Sequence, residues 1–319
     1  MGRYILRRLL IAVPTLFVIS FVMYMILALA PIDPLASFGA DPRVPPEVRE
    51  RIRISLGLDQ PWPIRYAKWV TAAIQGDFGV SFMSRSSVGD LIFQRLPNTL
   101  AVVGVAYLVG VLIALPVGMI SAVRRNSLTD HVISTFAYAG FSVPTFFTGL
   151  MLIIIFSVKL QWLPFIYDST LKITDLSSLV AQLRQSIMPI AVLGLFNAAI
   201  LIRYIRSEML EHLPLDYVRT ARAKGLAERA VVIRHALRNS LIPVVTLVAL
   251  GVPTVFGGAI VTEQVFRVPG VGELLVTSIG SGDTPVVAAS VLIFAVLVVI
   301  FNLIADVLYA VLDPRISYT

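Results

Sequence analysis

The residues able to do chemistry in this 319-residue chain are few, and their spacing rules out most enzymatic readings. His131, His212 and His235 are the only histidines, and none lies in the His-Glu-x-x-His pattern that puts two metal ligands on one helix face. With no cysteine, thiolate metal sites, disulfides and cysteine nucleophiles are all excluded. No Gly-x4-Gly-Lys-Ser/Thr loop occurs to cradle ATP phosphates, and no Gly-x-Ser-x-Gly elbow to raise a serine nucleophile. The expected catalytic and metal-site residues are therefore none. Energy for any vectorial work must come from a partner or from an ion gradient.

Asp306 is the acid embedded in a long apolar run, and an ionisable group in such a run is a functional candidate by default. It could couple transport to protons or sodium, or pair structurally with a lysine or arginine at the membrane boundary. Asn197, Asn302 and Gln161 could line a path or hydrogen-bond between helices. Asn197, Asn302 and Asp306 are taken forward as the path residues.

The elements that must position these groups are membrane helices. The chain is 57% hydrophobic and 14% charged, so the bilayer is its solvent. Six stretches approach the roughly 20 apolar residues that cross a core about 30 Å thick. They are Leu9 to Ala30, Thr99 to Val123, Val132 to Val158, Ile187 to Ile202, Leu241 to Thr262 and Pro285 to Leu312. The first has no small-residue cleavage site and reads as a retained anchor. Lys and Arg in the short loops alternate: fourteen lie on one side, from Arg3, Arg7 and Arg8 through the Arg203 to Arg238 loop to Arg315. Four lie on the other side, Lys159, Lys172, Arg184 and Arg267, which predicts that both termini are cytoplasmic. The net charge of +7 belongs to these loops, so nucleic acid is not an expected partner.

Residues 31–98 form a long external loop region with an amphipathic run, Pro46 to Leu56, after turn-rich Pro42 to Pro46. Trp62 and Trp69 read as anchors at headgroup level. Residues 1–30 supply the N-terminal end and first helix, 99–312 a five-helix core, and 313–319 a cytoplasmic tail. Ala106, Gly110, Ala114, Gly118 and Ala122 form a stripe for close helix approach, with Ala249, Gly251, Gly257 and Gly258 offering similar contacts. Pro116, Pro144 and Pro253 are candidate kinks.

The cytoplasmic loop 203–240 is patterned. Asp216 can cap a short helix over Tyr217 to Lys224 that Gly225 ends in a left-handed conformation, and Glu228 to Leu237 reads as a second helix. Here the sequence resembles a known family. Arg219-Thr220-Ala221, three residues, then Gly225 is similar to the "EAA, three residues, Gly" loop of ABC importer permeases, keeping only the last alanine. The string Asp216 to Leu226 followed by His235-Ala236-Leu237-Arg238-Asn239 resembles the dipeptide/oligopeptide form. So do Leu56 to Pro61, Gly76 to Ser81, Gly258 to Glu263, Pro269-Gly270-Val271-Gly272 and Asp313 to Ile316.

The resemblance implies an all-α type I ABC importer permease with six transmembrane helices, multi-pass in a bacterial or archaeal cytoplasmic membrane. It implies uptake of peptides or similar solutes delivered by an extracytoplasmic binding protein, with a second homologous permease and two ATP-binding subunits. This chain would bind no cofactor; ATP and Mg would reside in the partners. Asp216, Tyr217, Arg219, Thr220, Ala221, Ala223, Lys224, Gly225 and Leu226 would form the coupling element. The alternative is an ion-coupled secondary transporter using Asp306.

Overall fold

The computed structural model describes residues 2–29, 59–171 and 174–312, with single positions at 45, 47, 50, 51 and 54. The expected helix over Pro46 to Leu56 and the turn before it, Lys172, and the Asp313 to Ile316 string with Arg315, lie wholly or largely outside the described residues, as does the start of the Leu56 to Pro61 string. The chain divides into two compact units, Leu100–Val268 with Ile300–Thr319, and Gly2–Thr99 with Pro269–Val299.

In the second of these units, α1 (Gly2–Leu29) packs against α2 (Trp62–Ile74). The contact is aromatic: Tyr66 sits edge-on to Phe17 and Phe21, Trp62 tilts on Phe21, and Trp69 tilts on Tyr24, with ring centroids 5.4–6.1 Å apart. Ser20 and Tyr66 share a hydrogen bond of 2.9 Å, so the phenol's polar end is satisfied inside the pair. The two tryptophans, expected at headgroup level, spend their rings on α1. Beyond α2 the chain turns through Gly76 and Gly79, both at positive φ. The segment after Gly79 is pinned by Asp283, whose buried carboxylate accepts from the Ser81 hydroxyl and from the N–H groups of Phe82 (3.0 Å) and Met83 (3.3 Å). A short helix that hydropathy alone did not single out, α9 (Val271–Ser281), is tied in through Arg95 to Glu273 and through Thr99, whose hydroxyl accepts from Val271 N–H at 2.9 Å.

The other unit is a bundle in which α6 (Leu176–His212) is central and two-thirds buried over its most apolar window. At 37 residues α6 is about 55 Å long, well beyond the hydrocarbon thickness, so both ends project from it. The small-residue stripe lies on α3 (Val88–Val123) and faces α6: a Cβ on Gly110 would stand 2.9 Å from the Gly194 carbonyl oxygen, and one on Gly118 2.9 Å from Ile205. Small residues let the backbones approach this closely, and Gly194 reciprocates against the Ala106 carbonyl. A Cβ on Gly251 of α8 (Arg238–Phe266) would meet the Tyr107 hydroxyl, which donates to the Val248 carbonyl.

Five helices are long and apolar enough to cross a membrane among the described residues: α1, α3, α6, α8 and α10 (Thr284–Leu312). The expected third span is broken. α4 (Leu128–Ser142) and α5 (Thr145–Leu152), which runs on as π-helical turns Ile153–Lys159, meet at 104° across Val143 and Pro144. The spans number six when this pair counts as one. Of the three candidate kinks, Pro144 marks a real break because it caps α5, where its missing N–H costs nothing. Pro253 lies inside the continuous α8, and α3 runs unbroken through Pro116.

Candidate functional site

The basic loop folds as a short helix, α7 (Asp216–Ala223), on a buried base. Leu215 is the N-cap, extended at φ −71° and ψ 154°, and its carbonyl accepts from Val218 and Arg219 N–H. Asp216 is therefore the first helical residue rather than the cap. Its carboxylate is almost wholly exposed, reaches Arg219 at 3.4 Å, and lies where the helix dipole favours an anion. The helix ends one residue earlier than expected, with Lys224 N–H on Thr220 O (3.0 Å) and Gly225 N–H on Arg222 O (2.9 Å). Gly225 has φ +76°, the left-handed exit its identity suggested, and a Cβ there would meet nothing within 4 Å.

Two faces result. Val218 and Ala221 are buried, packing into the cluster that includes Met209 of α6 and Val231, Val232 and Ala236. Tyr217 is half-buried, with its hydroxyl 2.9 Å from His212 Nδ1. Asp216, Arg219, Thr220, Ala223, Lys224, Gly225 and Leu226 are exposed. Arg222 clasps Glu228 at 2.8 Å, closing the turn after Gly225, and this guanidinium holds the Glu228 carboxyl below the usual carboxylate range. Of the nine expected coupling residues, Tyr217 and Ala221 support the helix and the other seven form its outer surface.

The expected second helix, Glu228 to Leu237, does not stand apart. An α-turn, Glu228–Ala230, passes into π-helical turns, Val231–Leu237, and these run without a break into α8. Residues 228–266 are thus one helical rod whose N-terminal end carries α7.

Asn197, expected on a path, is buried against α3 beside Gly110 and donates to the Leu193 carbonyl at 2.7 Å. Asn302 and Asp306 lie half-buried on α10. Sequence reasoning missed Asp130. This buried acid at the start of α4 accepts both forks of Arg206 (2.7 and 2.8 Å), the Ser121 hydroxyl (2.6 Å) and Asn126 N–H (2.9 Å). The available signal was an acid just behind a serine cap, Ser127, which reads as ordinary helix capping.

Residues 114–318 match the family described as "binding-protein-dependent transport system inner membrane component", and residues 1–103 match its N-terminal companion. The chain belongs to this family. It is 42% identical to the oligopeptide transport system permease protein AppB of Bacillus subtilis and 39% identical to the glutathione transport system permease protein GsiC of Escherichia coli K12, both over the full length of each chain. A structure of the MetNI methionine ABC transporter in an inward-facing conformation superposes with a TM-score of 0.53 at 19% identity, covering 70% of this chain and 96% of that one. That likeness gives the type I importer fold. The chain is thus the membrane-spanning permease subunit of an ATP-binding-cassette importer, multi-pass in the cytoplasmic membrane. Such importers work with ATPase subunits and a substrate-binding protein. These relatives give the ion-coupled alternative no support, and they are transport subunits rather than enzymes.

Proposed function

We propose that this permease passes peptides or similar solutes inward as one half of a two-permease pathway, and that α7 with its Gly225 exit is the element that receives the ATPase stroke. The cargo class is carried by the full-length similarity to an oligopeptide permease and a glutathione permease. The coupling role rests on one observation: α7 presents a polar outer face while Val218 and Ala221 lock it onto the end of α6 and onto the 228–266 rod. A push on α7 is therefore a push on two spans at once, which is what alternating access between two packings requires. In this reading loop 203–240 is cytoplasmic, residues 31–98 face outward, a homologous permease completes the path, and two ATP-binding subunits each take one loop helix and hold ATP and Mg. Asn302 and Asp306 border the path.

Proteoliposomes holding the complete importer test this reading. Labelled oligopeptide should enter only with binding protein and ATP, insensitive to a proton gradient, and Asp306→Asn should retain most of that uptake. Uptake driven by the gradient without ATPase subunits would overturn it. Gly225→Val should assemble normally, hydrolyse ATP and lose about tenfold or more of uptake, since a β-branched residue in the left-handed region is strained by about 1–2 kcal/mol. Gly225→Asn, which tolerates that region, should retain most of it. Full uptake by the valine variant would remove α7 from the coupling role.

A further inference from the structure

Coupling makes no use of a second feature of the bundle, a basic cleft beside an apolar groove between α4 and α6. Arg203 follows the apolar run that ends at Ile202, and its guanidinium carbon stands 5.3 Å from the Phe141 ring centroid and 5.6 Å from that of Tyr204. Among the described residues no carboxylate lies in ion-pair range of Arg203, whereas Arg206, one turn on, is forked onto Asp130. Ser134, Tyr138 and Phe141 of α4 complete a cleft of about 30 Å3 with these two arginines. An exposed cation at the end of an apolar run is expensive to leave against hydrocarbon, and aromatic faces offset only part of that cost.

Next to the cleft, and sharing Ala137, Ala199 and Ile202 with it, lies a groove of about 510 Å3. Its walls come from α3, α4, α5 and α6, and among the described residues Thr145 and Thr148 supply its side-chain hydroxyls. The groove owes its far end to the 104° break, since Val143 and Thr145 on the two sides of Pro144 both line it. Along α6 the lining runs from Val192 to Ile202, a rise of about 15 Å, which is the hydrocarbon depth of one leaflet. A peptide backbone would leave its polar groups unsatisfied in such a trough. An amphiphile with an anionic head and an apolar tail would match both parts.

We propose that this cleft and groove hold one anionic phospholipid, one phosphate oxygen entering the cleft to accept from the Arg203 guanidinium and the Tyr138 hydroxyl, while Ser134 donates to Asp130, with an acyl chain along Phe136, Val143, Leu195 and Phe196. Basic pockets between spans near the cytoplasmic surface suit such headgroups. Native mass spectrometry of the intact importer released from nanodiscs of equal phosphatidylglycerol and phosphatidylcholine tests it. Wild type should retain phosphatidylglycerol selectively; Arg203→Lys should retain the selectivity, and Arg203→Gln should lower phosphatidylglycerol retention about tenfold, the scale of a lost charge-assisted hydrogen bond. Equal retention of the two lipids by wild type, or unchanged selectivity in Arg203→Gln, would overturn the proposal. So would efficient disulfide formation between Phe136→Cys and a cysteine on the second permease, because a protein helix would then cover the groove.

Discussion

At Asp130 a single carboxylate gathers the Arg206 fork, the Ser121 hydroxyl and the Asn126 N–H, and thereby joins three helices, α3, α4 and α6, at one end of the bundle. Its side chain is 2% exposed while that of Arg206 is 29% exposed, so solvent shields only the cation. Asp130→Asn should therefore cost roughly 2 kcal/mol, somewhat less than a fully buried pair, read as a lowered midpoint in detergent thermal unfolding. Arg206→Lys should cost about half as much, because an ammonium keeps the charge and loses the fork. Arg222 and Glu228 behave differently. Both are largely exposed, and the lowered Glu228 carboxyl contributes above its unfolded value and loses its contribution only as pH falls through the folded value. Between pH 6 and 9 the turn should keep constant resistance to limited proteolysis, and Glu228→Gln should loosen it at every pH in that window. Neither pair was legible in the sequence: the Asp130 partner lies 76 positions away, where apolar periodicity carries no information about polar contacts, and Arg222 and Glu228, six apart, meet only because the chain turns after Gly225.

At the scale of elements, glycine contacts decide which substitutions the bundle accepts. Gly118→Ala places a methyl 2.9 Å from Ile205 and 3.1 Å from the Ile202 carbonyl, so α3 and α6 must separate at a cost of about 1–3 kcal/mol. Gly104, with nothing within 4 Å, lies in the same helix and should accept alanine without loss in the same thermal unfolding assay. The stripe itself was readable from its spacing of four. Its partner was not: similar residues on α8 invited pairing, and the structure gives α6, whose Gly194 and Ala198 make only one small-residue step in their own run. Hydropathy found every span, because about 20 apolar residues have no other use in so oily a chain, but it caught only the apolar parts of α3 and α6, which begin eleven residues before the expected Thr99 and Ile187. It could not single out Pro144 among the three candidate kinks, since Pro144 differs from Pro116 and Pro253 only in where a new helix begins. The continuity of residues 228–266 was hidden for a related reason. The π-helical turns shift the register of the apolar face between Val231 and Leu237, and a 3.6-residue pattern then ends where the rod does not.

At the scale of the molecule, the proposed coupling surface is one helix of eight residues carried on the 228–266 rod. Hydropathy makes this chain a membrane protein; the family match makes it one subunit of a machine, and the proposed coupling role rests on the α7 surface. The family resemblance named that helix, and the structure adds which residues hold it and which are free to meet a partner. Buried Ala221 and Val218 should be intolerant of charge, with Ala221→Asp destabilising the loop and lowering assembly, whereas Arg219→Ala should leave assembly intact and weaken coupling. The most direct measurement is photocrosslinking in the assembled importer from a photoreactive residue at position 219. The account expects an adduct with an ATP-binding subunit, and none from the same probe at position 184, which precedes the most apolar part of α6 at its other end. An adduct with the ATP-binding subunit from position 184 and none from position 219 would contradict it.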